Sequence, residues 1–506
     1  MNFIKNMPLV LILLIGTGFA MFVPAAHALA IENHADMRSF FYAGTLVILF
    51  STAIGIVIGE GSTNELAQRD QLLVLLSVFA ALPLIMAIPF QNAVGGISLF
   101  DAYFEMVSSI TTTGATLFDD PASLDLSVHI WRAQVGWMGG FAMLVAGVAL
   151  LAPMHLGGFE IIGLSQSRGQ QRSVSQSAVS EGAVYRIGRW TRRLFPIYGG
   201  LTVLLWLALF ANGQSGAVAL CHAMSILSTS GISPVGGLEA APLGTLGEMI
   251  VFAFLLAGLS RLTLMPDDPL VQGRGLLHDR EFRLGVLIVV GVSILVFWHH
   301  WFASLEVDDT NGGASAFRAL WGALFTVLSF LTTTGFVSEA WESTTAWSGL
   351  AAPGMVLVGL AVIGGGVATT AGGVKLLRIY ALWGHGRREI ERLVYPSTIG
   401  QGGHKGRRVS MEGAQIAWVF FMLYAISIAA VVTLLSVTGV DFEGAMILAV
   451  SALSTTGPLA TVATEHAVTY SALGAGAKSV LLVTMVVGRL ETLALIALLN
   501  SNFWRQ

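Results

Sequence analysis

The chain alternates between long apolar segments and a second, shorter class of apolar segment. The short class occupies residues 98–110, 216–227, 316–331 and 442–453. Each has room for about three or four helical turns, which is too short to cross ~30 Å of hydrocarbon. Longer apolar segments flank each of them. The pattern predicts a unit repeated four times, made of a spanning helix, a short re-entrant helix and a second spanning helix.

Each short segment ends in hydroxyl residues followed by a glycine. We call these stretches glycine segments 1 to 4, and they comprise residues 111–114, 228–231, 332–335 and 454–457. Re-entrant backbone at membrane depth is tolerated only where it lines a water-filled path or is buried in protein. Glycine permits backbone angles that allow a strand to aim successive carbonyl groups at one point. Rings of such carbonyls replace the water around K⁺ in a pore.

We therefore expect the glycine segments to form a K⁺-selective filter, with the carboxyl-terminal ends of the short helices directing partial negative charge toward it. The alternative is a set of Ser/Thr-Gly turns in extracellular loops, which near-regular recurrence in the same hydropathy context disfavours. The predicted K⁺ ligands are Thr112, Thr113, Gly114, Thr229, Ser230, Gly231, Thr333, Thr334, Gly335, Thr455, Thr456 and Gly457.

Composition places the chain among membrane proteins. Of its 506 residues, 55% are hydrophobic and only 11% are charged, and the mean hydropathy is +0.75. A soluble domain carries roughly twice that charge. The net charge of −4 gives no indication of nucleic-acid binding, and the single Cys221 excludes an internal disulfide. The sequence also lacks the metal, nucleotide and nucleophile motifs of common enzymes, so we expect no catalytic function.

Three further stretches complete a resemblance to a known family. They are residues 135–140 (VGWMGG), 364–375 (GGGVATTAGGVK) and 488–491 (GRLE), the last leading to Phe503-Trp504-Arg505. With the glycine segments, they make the chain resemble the Trk/Ktr/HKT potassium transporters over nearly its whole length, and most closely the TrkH-like bacterial branch. One departure is Ile232 after the second glycine, where the family more often has an aromatic residue.

The resemblance implies an all-α polytopic protein with four M1–P–M2 repeats around one pseudo-fourfold pore. It also implies a homodimer, and a cytoplasmic ring of Rossmann-type regulatory subunits that binds ATP/ADP or NAD. The expected division is an N-terminal helix pair (1–66), repeat 1 (67–165), a cytoplasmic loop (166–193), repeat 2 (194–266), a loop (267–282), repeat 3 (283–380), a loop (381–414) and repeat 4 (415–506).

The N-terminus has two interpretations. Lys5, the apolar run 9–23 and Ala26-His27-Ala28 are typical of a secretory signal with a small-residue cleavage site. A second apolar run at 40–58 follows closely. Because TrkH-like proteins carry an additional N-terminal helix pair, we favour a retained spanning helix.

Charges along the loops predict the orientation. The loops between repeats are rich in Arg and Lys, which makes their side cytoplasmic. The side of the glycine segments carries acidic residues, which could concentrate cations at the pore mouth or could be ordinary solvated loop residues. The acidic residues in question are Asp119, Asp120, Asp125, Glu239, Asp308, Asp309, Glu339, Glu342 and Glu465.

Residues 364–373 interrupt the last spanning helix of repeat 3. Half of them are glycine, which costs about 1 kcal/mol relative to alanine inside a helix, so the stretch is expected to unwind. We predict an intramembrane gate formed by Gly364, Gly365, Gly366, Ala368, Thr369, Thr370, Gly372 and Gly373. The alternatives are close packing by small residues and, less favoured, a phosphate-binding loop. Lys375 and Arg378 are expected to reach the cytoplasmic surface.

Arg489 lies within an apolar stretch, residues 480–499, which predicts one helix. A charge at that depth is by default functional, so we expect Arg489 to face the pore below the filter. A structural ion pair with Glu491 is the alternative, but residues i and i+2 do not share a helix face. Arg261 is closer to a helix end and is expected to extend to the cytoplasmic interface.

These observations predict the pore-forming subunit of a bacterial inner-membrane K⁺ uptake system. K⁺ is the transported ion, and the chain itself is expected to bind no cofactor and no nucleic acid. A Na⁺-dependent Ktr-type transporter remains open, as does a membrane sensor or enzyme that kept the fold without conducting. Whether H⁺ or Na⁺ is coupled in symport is left undecided by the sequence.

Overall fold

The computed structural model is built from helices. It describes residues 8–58, 68–154, 156, 158–159, 182–241, 243–265, 276–303, 312–348, 352–394, 411–463 and 468–491, and every regular element within those ranges is a helix. The helices of the first half are α1 (Leu9–Ala30), α2 (His34–Ile58), α3 (Arg69–Val94), α4 (Leu99–Ile110), α5 (Leu126–Leu151), α6 (Ala183–Ala211), α7 (Gly216–Ser228) and α8 (Gly244–Leu259). The longer helices of the second half are α9 (Arg280–Ala303), α10 (Gly312–Leu331), α11 (Trp341–Ser348), α12 (Pro353–Ile363), α13 (Leu376–Val394), α14 (Met411–Val437), α15 (Phe442–Leu453) and α16 (Ala475–Leu490), and single turns of helix occupy Leu276–His278 and Leu459–Val462.

Six of the described helices are long and apolar enough to cross a bilayer. Five are in the first half, namely α1, α2, α3, α5 and α6, and the sixth lies within α14. Large apolar side chains such as Val57 and Val437 are exposed on them. Apolar surface of this kind on a spanning helix faces lipid. The chain is therefore an all-α polytopic membrane protein, as the composition predicted.

The short helices α4, α7 and α15 begin at the same distance before their glycine segments. Ser98 and Asp441 cap α4 and α15 by accepting hydrogen bonds from the amides of Asp101 and Gly444, and Ser215 precedes α7. A side-chain acceptor at this position satisfies an amide that the helix leaves unpaired. α10 begins earlier, at Gly312, and is longer. The carboxyl-terminal half of each short helix is buried, so each helix points its end into the protein interior.

The two N-terminal helices pack closely on each other and on α5. A Cβ on Gly18 would lie 2.9 Å from the Gly44 carbonyl oxygen, so the two backbones approach each other at glycines, as small residues allow between membrane helices. Gln134 Nε2 of α5 donates to the Ala20 carbonyl oxygen at 3.1 Å, and His27 Nδ1 lies 3.3 Å from Ser127 Oγ. These contacts attach the pair to the helices around glycine segment 1.

Helix boundaries differ in places from those that hydropathy suggests. α6 begins at Ala183, within the predicted loop 166–193, and α13 continues to Val394, within the predicted loop 381–414. Arginine-rich helical turns at the ends of apolar helices lower the mean hydropathy without ending the helix, because Arg is a good helix former. The interruption predicted at 364–373 is present, since α12 ends at Ile363 and α13 begins at Leu376. The division into repeats remains a prediction.

Candidate functional site

The four glycine segments share one backbone turn. In each, the second residue adopts left-handed angles and the amide of the third donates to a serine carbonyl five residues earlier. The left-handed residues are Thr112, Thr229, Thr333 and Thr455, with φ of 57°, 53°, 57° and 55°. The hydrogen bonds are Thr113 N to Ser108 O (2.9 Å), Ser230 N to Ser225 O (2.9 Å), Thr334 N to Ser329 O (2.9 Å) and Thr456 N to Ser451 O (2.8 Å). This is the Schellman arrangement that ends many helices.

Threonine is an unusual residue for the left-handed position of that turn. Helices that end this way usually place glycine there, because a side chain costs roughly 1–2 kcal/mol in left-handed angles. Four β-branched residues held in this conformation indicate strain that the surrounding packing maintains. In these segments the glycine stands two positions after the left-handed threonine, at the point where neighbouring segments meet.

The hydroxyl groups of the first and third residues of each segment make hydrogen bonds within their own segment and short helix. The first hydroxyl donates to the carbonyl four residues back, for example Thr111 Oγ1 to Val107 O at 2.7 Å. It also lies within hydrogen-bond distance of the third hydroxyl in every segment. Those pairs are Thr111–Thr113 (2.8 Å), Ser228–Ser230 (3.1 Å), Thr332–Thr334 (3.1 Å) and Ser454–Thr456 (3.1 Å).

The glycines bring the four segments into a closed ring in chain order. A Cβ on Gly114 would lie 1.9 Å from the Ser230 carbonyl oxygen, and one on Gly231 would lie 2.3 Å from the Thr334 carbonyl oxygen. A Cβ on Gly335 would lie 3.0 Å from Pro458, and one on Gly457 would lie 2.3 Å from the Ala115 amide nitrogen. Each segment thus touches the next, and the fourth returns to the first.

Segment 4 departs from the symmetry of the other three. Gly114, Gly231 and Gly335 have φ of 74°, 66° and 83°, whereas Gly457 is outside the left-handed region. Its amide donates to the Thr113 carbonyl oxygen at 2.5 Å. The ring is therefore pseudo-fourfold rather than fourfold.

Residues 364–373 lie directly against the inner end of this ring, the end formed by the first two residues of each segment. The Gly372 amide donates to Thr333 Oγ1 at 2.7 Å, and a Cβ on Gly372 would lie 2.1 Å from the Ser454 carbonyl oxygen. Thr370 Oγ1 donates to the Leu227 carbonyl oxygen at 3.2 Å. The stretch thus contacts segments 3 and 4 and the end of α7.

The same stretch is attached on its other sides to α8 and α9. The Gly366 amide donates to the Gly258 carbonyl oxygen at 3.0 Å, and the Val367 amide donates to Glu281 Oε1 at 3.3 Å. Glu281 is buried. The stretch is therefore held against the ring by hydrogen bonds to several different helices and segments.

Arg489 reaches this stretch from α16. Its Nη1 donates to the Thr370 carbonyl oxygen at 2.6 Å, and the side chain is buried. Its Nε and Nη2 atoms make no hydrogen bond to the described residues. The expectation of one helix over residues 480–499 is corrected, because α16 ends at Leu490 and Glu491 has a φ of 62°. Residues 492–499 lie outside the described part.

Glu491 pairs with a different arginine from the one considered in the sequence. Its Oε2 atom accepts from Arg378 Nη2 at 2.7 Å, and Arg378 also stacks on the Phe420 ring at 3.6 Å from the centroid. Arg378 is fully buried, and Lys375 is buried with its Nζ donating to the Ala371 carbonyl oxygen. The expectation that Lys375 and Arg378 reach the cytoplasmic surface is wrong, because both charges find partners inside the protein.

Arg261 is also buried rather than extended to the interface. Its guanidinium lies 5.7 Å from the centroid of the Phe159 ring, and Phe159 packs against Val367 and Ala368 of the interrupted stretch. The expected extension toward water is therefore replaced by a contact with an aromatic ring under residues 364–373.

Several of the outer acids have local structural contacts. Asp119 accepts from Ser471 Oγ at 2.6 Å, Asp120 caps the turn at Pro121, and Asp125 accepts from Asn33 Nδ2 at 3.0 Å. Burial, followed by the neighbouring Glu342 carboxylate, raises the pKa of Glu239. Asp308, Asp309 and Glu465 lie outside the described residues.

Two features of the site were missed in the sequence. The Arg378–Glu491 pair gave no local signal, because its members are 113 positions apart. The turn did give a local signal in the sequence, because a serine stands six residues before each of the four glycines. These serines, Ser108, Ser225, Ser329 and Ser451, are the carbonyl acceptors of the shared turn.

Comparison with known proteins agrees with this architecture. Residues 252–505 match the TrkH family of cation transport proteins. The Trk system potassium uptake protein TrkH of Salmonella typhimurium is 29% identical over 513 residues, covering 98% of each chain, and TrkH of Halomonas elongata is 30% identical over 492 residues, covering 92% of this chain and 94% of its own.

The crystal structure of the potassium transporter TrkH from Vibrio parahaemolyticus superposes on the whole chain with a TM-score of 0.82 at 26% identity, and both chains are covered completely. These relatives and the apolar spanning helices make the protein a multi-pass component of the bacterial inner membrane. The chain belongs to the TrkH family of Trk-type potassium transporters.

Proposed function

We propose that this protein forms the pore of a bacterial K⁺ uptake system and that the ring of glycine segments is its selectivity filter. The observation that carries the proposal is the repetition of one strained turn in four segments that touch one another in sequence. An ordinary surface turn has no need of this geometry. The ligands would be the backbone carbonyls of the second to fourth residues of each segment, as predicted from the sequence.

The chemistry of the ring suits a monovalent cation. The hydroxyls of the first and third residues are occupied by hydrogen bonds within their own segment. Three carbonyl oxygens of the ring, those of Thr113, Thr456 and Gly457, also accept hydrogen bonds within the protein. The remaining carbonyl oxygens would be the main ligands for an ion, since carbonyl dipoles replace the hydration shell of K⁺ in pores. Four helix ends also point toward the ring, and the carboxyl-terminal end of a helix carries a partial negative charge.

The gate in this proposal is the interrupted stretch, including Gly364, Gly365, Gly366, Ala368, Thr369, Thr370, Gly372 and Gly373. Its contacts with segments 3 and 4 support an obstruction of the ion path below the ring. Arg489 would contribute a positive charge that keeps K⁺ from binding tightly there, and its hydrogen bond to Thr370 would hold the stretch closed. Two arrangements that differ by a few kcal/mol would suffice for a switch.

The proposal includes partners that the resemblance implies. We infer a homodimer, and a cytoplasmic ring of Rossmann-type subunits whose binding of ATP/ADP or NAD controls the gate. The relatives' names refer to a Trk system, which supports a multi-component assembly. The chain itself would bind no nucleotide and catalyse no reaction.

The test is growth of a K⁺-uptake-deficient bacterium at low K⁺ with the protein expressed, followed by K⁺ flux into liposomes that contain the purified protein. We expect rescue and a K⁺ flux that exceeds the Na⁺ flux. Repeating both measurements with and without Na⁺ separates a Na⁺-dependent Ktr-type transporter from this proposal. Failure of rescue together with no flux from correctly folded protein would favour a non-conducting sensor.

A further inference from the structure

In glycine segments 1 to 3, the chain that leaves the segment, called here the outgoing strand although it forms no sheet, is hydrogen-bonded to a buried side chain at one fixed position. In segments 1 to 3, the residue nine positions before the glycine is polar and buried. These residues are Glu105, His222 and Thr326, and Leu448 occupies the same position in segment 4. Each of the three polar residues contacts the chain two or three positions after its own glycine, which is the part that leads out of the ring.

Segment 1 uses a carboxylate. Glu105 Oε1 accepts from Thr116 Oγ1 at 3.0 Å and from the Leu117 amide at 2.5 Å. Its other oxygen, Oε2, lies 3.0 Å from Arg132 Nη2 of α5, and both side chains are buried. A carboxylate can accept two hydrogen bonds on one oxygen and form an ion pair through the other. Glu105 therefore fixes the outgoing strand to the short helix and to a spanning helix at once.

Segment 2 uses an imidazole in the same place. His222 Nε2 lies 2.9 Å from Ser233 Oγ, and its Nδ1 lies 3.2 Å from Gln214 Oε1. Ser233 Oγ in turn accepts from the Val235 amide at 3.2 Å. The imidazole thus joins the outgoing strand to the chain just before α7, again without any contact to the ring carbonyls themselves.

In segment 3, two side chains rather than one hold the outgoing strand. Thr326 Oγ1 accepts from the Ser338 amide at 3.3 Å. Glu248 of α8 then accepts from Ser338 Oγ at 2.8 Å, from the Glu339 amide at 2.8 Å and from Trp321 Nε1 at 2.7 Å. The carboxylate that segment 1 carries on its short helix is here supplied by the neighbouring helix α8.

Segment 4 lacks this contact and is held closer to the ring. Leu448 is buried and apolar, and Tyr470 donates its hydroxyl to the Gly457 carbonyl oxygen at 3.1 Å. Ser451 Oγ lies 2.8 Å from the same hydroxyl. The hydrogen bond from Tyr470 therefore fixes the direction of the Gly457 carbonyl group. Segment 4 is therefore fixed at the glycine, whereas the other three are fixed beyond it.

We propose that Glu105, His222 and Thr326 are positioning residues that set the selectivity of glycine segments 1 to 3 by fixing the strand that follows each glycine, and that Tyr470 performs this role for segment 4. The inference rests on the proposed filter function. It adds to that function the residues that keep the ring carbonyls at the separation that fits one ion size. A ring whose strands relax would adapt its carbonyls to a smaller cation.

The test uses substitutions that remove a polar atom while keeping shape. Thr326→Val removes one hydroxyl, and Thr326→Ser restores it. Tyr470→Phe removes the hydroxyl that holds segment 4. Leu448→Met is the matched control, because it changes a buried side chain at the position equivalent to Thr326 without removing a polar atom. K⁺ and Na⁺ uptake are measured in liposomes, with thermal stability of the purified proteins as a check on folding.

We expect the K⁺/Na⁺ uptake ratio of Thr326→Val and of Tyr470→Phe to fall about fivefold, equivalent to roughly 1 kcal/mol, which is the scale of one buried hydrogen bond. Thr326→Ser and Leu448→Met should keep the wild-type ratio. Wild-type ratios in both Thr326→Val and Tyr470→Phe would overturn the positioning role while leaving the filter intact. Absence of K⁺ flux in the wild-type protein would overturn the proposed function and this inference together.

Discussion

Gly114→Ala tests whether the close approach between glycine segments determines ion selectivity. Gly114 has a φ of 74°, and a Cβ there would lie 1.9 Å from the Ser230 carbonyl oxygen. Real Cβ atoms stay at least 3.0 Å from such an atom, so the two segments must separate by about 1 Å or more. Ion–ligand distances in a fitted site are held to within about 0.2 Å. The displacement therefore exceeds what a coordination shell tolerates.

The chain offers a control with matched backbone strain. Gly96 has a φ of 70°, and a Cβ added to it would have nothing within 4 Å. Alanine in left-handed angles costs roughly 1–2 kcal/mol at either site. Both variants should lose similar stability from strain, and only Gly114→Ala adds the collision with the neighbouring segment.

Flux of K⁺ and Na⁺ into liposomes gives the comparison. We expect Gly114→Ala to lower the K⁺/Na⁺ ratio by about tenfold or more, which is roughly 1.4 kcal/mol of lost discrimination, while Gly96→Ala keeps the wild-type ratio. Gly231→Ala should behave like Gly114→Ala, since its Cβ would lie 2.3 Å from the Thr334 carbonyl oxygen. A folded Gly114→Ala protein with wild-type selectivity would refute the assignment of the ring as the filter.

Three further predictions concern the space below the ring. Arg489→Ala should raise K⁺ flux in liposomes without loss of folded yield, because it removes a buried charge and its bond to Thr370; unchanged flux would separate this arginine from the gate. Shortening the chain within residues 367–372 should raise basal flux and weaken control by a cytoplasmic partner, and a shortened protein as tightly closed as wild type would place the gate elsewhere. Arg378→Ala should lower the free energy of unfolding by about 3–5 kcal/mol, because Glu491 would stay buried without its partner. Its control is Arg387→Ala, which breaks an exposed ion pair with Glu391 that contributes about 0–1 kcal/mol. Equal melting temperatures for the two variants would contradict the burial argument.

Hydropathy alone located the elements from which the site is built. A run of about a dozen apolar residues is too short to cross a bilayer wherever it occurs. The positions of α4, α7 and α15 therefore followed from counting, and α10 differs only by extra residues at its start. The break between α12 and α13 followed from glycine content, because a helix interior rich in glycine is unstable in any fold.

The sequence did not determine the conformation of the threonines or the partners of the buried charges. Left-handed angles at Thr333 are unfavourable locally and persist because the surrounding helices enforce them. Lys375 and Arg378 follow an apolar helix, and a charge in that position is usually assigned to the membrane surface. That assignment assumes water is the only partner available. Here Glu491, far along the chain, supplies another partner for Arg378, and the Ala371 carbonyl oxygen supplies one for Lys375.

The sequence by itself thus determined the class of protein, the four short helices, the hydroxyl-glycine segments and the interrupted helix, because each depends on residues that are neighbours in the chain. Only the tertiary structure decided which segment meets which, where Arg489 donates its hydrogen bond, and which buried groups hold each strand. Those contacts join residues such as Arg489 and Thr370 that lie 119 positions apart. Their energies depend on distance in space, which no local pattern of hydrophobic and polar residues encodes.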